Sequence, residues 1–164
     1  MIVVGNGPSV TSGKWGDAID GHLEVIRFGA YRMEDFAECT GVRTTMWAAS
    51  EECRKTVRPP RDCQEIVICE PGKRQAYTSR GITAMERLHA SVDHPSSGLI
   101  LLESLAYQGI RPTFIGIDGY DRSGRRNYWS DDPIPDDDPH DYDQEVARLS
   151  AMIQDGLIVA LEDL

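Results

Sequence analysis

The chain has 164 residues, of which 40% are hydrophobic, 27% charged and 7% aromatic, a balance that suits one globular domain and argues against a largely disordered chain. Counting 17 Lys+Arg against 27 Asp+Glu gives a net charge of −10, a poor fit to a general nucleic-acid binder, which needs a basic surface to neutralise phosphates. No apolar run approaches the roughly 20 residues that cross a bilayer, and Met1-Ile2-Val3-Val4-Gly5 has neither the basic region nor the apolar stretch of a secretion signal.

In chain order, strand-like runs fall at Ile2 to Gly5, Leu23 to Phe28, Arg43 to Ala48, Glu65 to Cys69, Thr113 to Ile117 and Leu157 to Leu161. Between them, helical spacing joins Ile82, Met85, His89 and Val92, then Leu99, Leu102, Leu105 and Ala106 up to Gly109, then Val146, Leu149 and Ile153 up to Gly156. Alternating strands and helices predict one α/β domain over residues 1–164, with a mostly parallel sheet covered on both faces. Arg54 to Asp62, with Pro59-Pro60, reads as a turn-rich connection. Asp121 to Pro139 reads as a longer loop whose acidic run Asp136-Asp137-Asp138 suits a solvated surface or, alternatively, a hard divalent cation. The four cysteines, at 39, 53, 63 and 69, contain no Cys-x-x-Cys pair, so reduced thiols and a cytoplasmic location are expected.

Three clusters carry chemistry. Gly5-Asn6-Gly7-Pro8-Ser9 follows the first strand, where glycine lets backbone approach a ligand and free amides bind anions. It fits neither common nucleotide motif. Val10 stands where the dinucleotide fingerprint needs its third glycine, and Arg27 stands where that motif closes its second strand with an acid. A phosphate loop needs four residues between its glycines, whereas five separate Gly7 from Gly13. The segment therefore reads as a nucleotide-facing loop or an ordinary strand-to-helix turn. Ser96 and Ser97, before Gly98 and an apolar helical run, suit an N-cap or an anion site at the helix's positive end. Ile115-Gly116-Ile117-Asp118-Gly119-Tyr120 places Asp118 and Tyr120 beyond the carboxyl end of a strand, where open α/β sheets bind ligands. His140, before the last helix, reads as a structural or exposed histidine or as a catalytic one.

Together these segments match one family in order. Val3 to Ser9, Ser12-Gly13, Gly16, Ile19-Asp20, His22, Val25 to Phe28 and Gly41 to Thr45 resemble the long N-terminal motif of sialyltransferases. Pro95-Ser96-Ser97-Gly98, with Phe114 to Asp118, resembles their short motif. Tyr128-Trp129 resembles the aromatic third motif, and His140 with Glu145 the final histidine-glutamate motif. The resemblance covers about residues 2–145, nearly the whole chain.

It implies a Rossmann-like (GT-A-variant) fold and an inverting transferase that moves a 2-keto sugar acid from a CMP-activated donor to a glycan hydroxyl, with no metal or other cofactor required. The donor site then maps onto Gly5, Asn6, Gly7, Pro8, Ser9, Arg27, Gly29, Ser96, Ser97, Gly98 and Asp118. Tyr120 and Tyr128 would donate to the departing phosphate, where one well-placed donor contributes about 3 kcal/mol to the transition state. His140 would take the acceptor's proton, worth ~10²–10⁴-fold in rate. Gly29 departs from the asparagine usual there, and Asn127 from a histidine usual in animal members. The chain is short, so an acceptor site shared with another subunit is compatible with the resemblance. Alternatives are a degenerate CMP- or nucleotide-binding domain without transferase activity and a transferase that uses CMP-Kdo.

Overall fold

The structure is a computed structural model that describes residues 1–86, 92–118, 127–132 and 138–164. Its strands are β1 (Ile2–Val4), β2 (Val25–Phe28), β3 (Met46–Ser50), β4 (Gln64–Cys69), β5 (Thr83–Glu86), β6 (Thr113–Ile115) and β7 (Val159–Ala160). The helices are α1 (Gly16–Asp20), α2 (Ala37–Thr40), α3 (Cys53–Thr56), α4 (Arg74–Thr78), α5 (Ser97–Tyr107) and α6 (Tyr142–Gln154), with 3₁₀ turns at Pro8–Thr11 and Leu161–Asp163.

All seven strands lie in one sheet of order β5-β4-β3-β2-β1-β6-β7, and every pairing is parallel. From β1 the chain steps outward to β5, then α5 carries it back across to β6. The order therefore reverses between β1 and β6. Loops diverge at such a point and leave a crevice beyond the strands' carboxyl ends.

Strand residues alternate between two buried layers, as a parallel sheet covered on both faces requires. Val3, Ile26, Met46, Ile66, Met85 and Phe114 pack beneath α5 and α6. Ile2, Val4, Val25 and Ile115 face the other way, against Val10, Ile19 and Tyr128. Helix α5 buries Leu99, Ile100, Leu101, Leu102 and Leu105, so it is a core helix rather than an amphipathic one. It starts where the Ser96 hydroxyl accepts from Leu99 N at 3.3 Å and stops at Gly109, φ +76°. Helix α6 buries Tyr142, Glu145, Leu149 and Met152 at a three-to-four spacing. Among the described residues, no helix is long and apolar enough to cross a membrane.

Two sequence expectations are corrected. The spacing of Ile82, Met85, His89 and Val92 predicts a helix, yet Thr83–Glu86 is strand β5 at the sheet edge. Ala84 packs beside Val67 and Cys69 on one face, whereas Met85 enters the main core on the other. An i, i+3 match over so short a run cannot separate helix from strand. His89 lies outside the described residues. The third strand starts at Met46 rather than Arg43 because the preceding backbone is tied by side chains. The Asp20 carboxylate accepts from Val42 N and Arg43 N, and Thr45 Oγ1 accepts from Val25 N at 2.8 Å. Of the long loop that begins at Asp121, Asp136 and Asp137 lie outside the described residues.

Candidate functional site

At the reversal, the loops after β1 and β6 continue to pair beyond their strands. Gly5 N donates to Ile115 O and Gly7 N to Gly116 O, both at 2.8 Å. A Cβ on Gly5 would sit 2.0 Å from Gly116 O, and one on Gly7 would sit 2.4 Å from Asp118 Oδ2. These glycines therefore allow one loop to approach the other, and Gly5 also borders the cavity above them. Pro8 opens the 3₁₀ turn that brings Ser9 round. Ser9 N donates to Asp118 Oδ2 at 2.8 Å, its hydroxyl donates to Asp118 Oδ1, and its Oγ accepts from Gly116 N at 3.1 Å. The substitution Gly5→Ala is expected to cost at least about 2 kcal/mol, since the clash is with backbone that cannot swing away. Denaturant unfolding at wild-type stability would refute this reason for the glycine.

A cavity of about 150 Å³ opens above this junction, lined by Gly5, Asn6, Phe28, Ser96, Ser97, Gly98, Gly116, Ile117, Asp118, His140 and Glu145. Segments far apart in the chain thus meet at one rim of the sheet. Asn6 Nδ2 donates to Phe28 O at 3.2 Å and Ala30 O at 3.3 Å. With the amide so oriented, Asn6 Oδ1 is a buried acceptor without a hydrogen-bond partner among the described residues, which is costly unless a ligand's N–H or O–H supplies one. Gly98 lets the start of α5 lie on Ile117, 3.1 Å from where its Cβ would be.

The α5 N-terminus is partly occupied by the protein itself. Ser96 Oγ donates to Glu145 Oε2 at 2.8 Å and Ser96 N donates to Glu145 Oε1. Glu145 is 1% exposed, and burial pushes its carboxyl above the ordinary 4.5, outweighing the Ser96 hydrogen bonds and the His140 imidazole, which pull it down. His140 Nδ1 lies 2.6 Å from His94 O and 4.0 Å from Glu145 Oε1, and its Nε2 lies 4.0 Å from Asp138 Oδ1. Among the described residues, none that lines the cavity is a lysine or arginine. An anion here would rest on helix amides, the natural anion site of an α/β fold.

The other expected residues stand elsewhere. Arg27, 1% exposed, is on the opposite face, where its guanidinium donates to Thr40 O at 2.6 Å, Arg43 O at 3.0 Å and Thr44 Oγ1 at 3.1 Å. It ties β2 to the connection before β3. Gly29 takes φ +47° beside the cavity, and its carbonyl accepts from Trp47 Nε1 at 2.9 Å. The Tyr128 hydroxyl accepts from Arg32 N at 3.1 Å and donates to Arg32 O, and its ring packs edge-on to Phe36 and Trp129. Burial pushes that hydroxyl's pKa up. Tyr128 fastens the 29–32 segment and does not line the cavity. Tyr120 lies outside the described residues. Sequence reasoning had not placed Phe28, Gly116 or Ile117 at the site, although Phe28 has the parity of the β2 residues on the α5 side.

The chain is therefore a Rossmann-like α/β domain with a polar cavity at its topological reversal, lined by an asparagine, a helix N-terminus and a histidine–glutamate pair. Its fold is that of the sialyltransferases. A crystal structure of a mammalian sialyltransferase in complex with Gal-β1-3GalNAc-ortho-nitrophenol aligns with TM-score 0.69 and 17% identity over 98% of this chain and 68% of that one. Another mammalian sialyltransferase structure aligns with TM-score 0.69 and 19% identity over 98% of this chain and 67% of that one. No protein-family model matches the sequence, and no curated protein matches it.

Proposed function

We propose that the protein is an inverting glycosyltransferase that moves a sialic acid from a CMP-activated donor to a glycan hydroxyl, using the cavity between Asn6, the start of α5 and His140. The observation that carries this reading is the convergence itself. Residues of the long, short and histidine-glutamate segments line one cavity at the fold's reversal point.

In the reaction, the acceptor O–H bond breaks as its proton passes to His140, and the acceptor oxygen forms a bond to the donor's anomeric carbon. The bond from that carbon to the phosphate oxygen breaks, and its electron pair leaves with CMP. Charge thus builds on the phosphate in the transition state, where fixed donors act most strongly. The Ser97 and Gly98 amides at the head of α5 suit that charge, since the Ser96 donors are taken by Glu145. Asn6 Oδ1 suits a hydroxyl or amino group of the nucleoside. The carboxyl groups of Glu145 and Asp138, each 4.0 Å from a ring nitrogen, flank the ring that takes the proton.

Two observations favour a second reading, a nucleotide-binding domain without transfer. The Tyr128 hydroxyl is spent on Arg32, and residue 29 has no side chain to offer. Thermal unfolding with CMP, ATP and NAD followed by turnover of CMP-sialic acid separates the readings. CMP at about 100 times its Kd is expected to stabilise the fold by about 2.7 kcal/mol, a Tm rise on the order of 5–10 °C, with no comparable rise from ATP or NAD. No shift at millimolar CMP overturns both readings. A shift without release of CMP from the donor leaves the second, and parallel assays with CMP-Kdo decide the sugar.

A further inference from the structure

The proposed base needs a defined proton arrangement on a ring that is only partly enclosed, its side chain being 24% exposed. A neutral imidazole carries its proton on either nitrogen, and the partner of one nitrogen decides the state of the other. Here the partner is backbone. His94 O lies 2.6 Å from Nδ1, and a carbonyl can only accept, so Nδ1 holds the proton and Nε2 keeps the lone pair. The Glu145 carboxylate, 4.0 Å from Nδ1, favours the same arrangement. The Asp138 carboxylate, 4.0 Å from Nε2, favours the reverse but lies beyond hydrogen-bonding distance.

That carbonyl is aimed by an unusual backbone. His94 has φ +51°, one of only three non-glycine residues with positive φ among those described. It precedes Pro95, which is buried, and proline keeps the residue before it out of the right-handed helical region. The His94 side chain is exposed, so nothing in its burial explains the conformation. Left-handed non-glycine residues are concentrated at functional sites, and this one turns its carbonyl onto a ring that lines the cavity.

We infer that His94 is a positioning residue: its carbonyl, turned by the left-handed backbone ahead of Pro95, locks His140 with its proton on Nδ1 and makes Nε2 the base. This assignment of Nε2 as the base rests on the transferase reading, whereas the lock itself does not.

The test separates the two. With ¹⁵N-histidine label, the ring nitrogen shifts of His140, read where the imidazole is neutral, are expected to show the proton on Nδ1. A proton on Nε2 in the wild-type protein overturns the proposal, and this reading needs no variant. His94→Gly and His94→Asn tolerate positive φ and keep the carbonyl, so they are expected to retain both the Nδ1–H form and wild-type transfer. His94→Val disfavours positive φ and is expected to lose the lock, cutting kcat at least about tenfold with little change in donor KM. If His94→Val folds and still keeps the Nδ1–H form, or if His94→Gly loses it, the backbone is not the positioning element. If the lock is present but no variant, wild type included, turns over donor, the transferase reading fails and the lock stands.

Discussion

Replacing His140 by alanine is expected to lower transfer by ~10²–10⁴-fold while leaving CMP affinity close to wild type. The two readouts part because the residue serves the proton and not the nucleotide. An acceptor hydroxyl is a poor nucleophile until its proton leaves, and His140 is the histidine among the lining residues of the cavity. Its neighbours hold the ring in place: a carbonyl on one ring nitrogen and a carboxyl group near each. CMP binding should depend instead on Asn6 and the start of α5. Initial-rate kinetics with CMP-sialic acid, paired with calorimetry using CMP, make the comparison. Transfer at the wild-type rate removes His140 as the base, and loss of CMP binding makes it a ligand for the nucleotide instead.

Removing the Glu145 carboxylate is expected to give the largest loss of stability around the site. Glu145→Ala leaves Ser96 N and Ser96 Oγ without their acceptors at the start of the central helix and opens space at a residue that is 1% exposed. Loss of a buried network of this kind costs about 2–4 kcal/mol, a Tm drop of roughly 5–15 °C for a domain of this size. Glu145→Gln keeps the shape and isolates the charge. Because burial raises the folded carboxyl above 4.5, the folded chain holds this proton where the unfolded chain has released it. The carboxyl's contribution is complete below pH 4.5 and is lost as pH rises through the raised value. The Tm of wild type relative to Glu145→Gln should therefore fall as pH climbs above 4.5. A gap that widens with pH would mean that Ser96 and His140 stabilise the carboxylate more than burial opposes it.

Features written in local chemistry were legible in the sequence. Ser96 and Gly109 bracket α5 because a hydroxyl cap and a left-handed stop are properties of single residues. The β1 loop, the α5 start and His140 fall in one site through the resemblance to the sialyltransferase motifs, not through any of them alone, and residues of all three line the cavity. What was hidden depends on which way a residue faces. Arg27 and Phe28 are neighbours in one strand, yet one braces the far layer and the other lines the cavity. Tyr128 sits in an aromatic segment resembling a motif, but packing with Phe36 and Trp129 takes its hydroxyl to Arg32. The reason for Gly5 and Gly7 was hidden too, because Gly116 and Asp118 come more than a hundred residues later. The His94 carbonyl had no signal beyond the proline after it.

The most direct measurement is an NMR titration of the ¹⁵N-labelled protein with CMP. The amides of Asn6, Ser97, Gly98 and Asp118 and the ring of His140 should shift together along one saturable curve. Shifts concentrated at the groove between α6 and the final turn, around Val146, Ile153 and Glu162, or no shifts at all, would contradict the account.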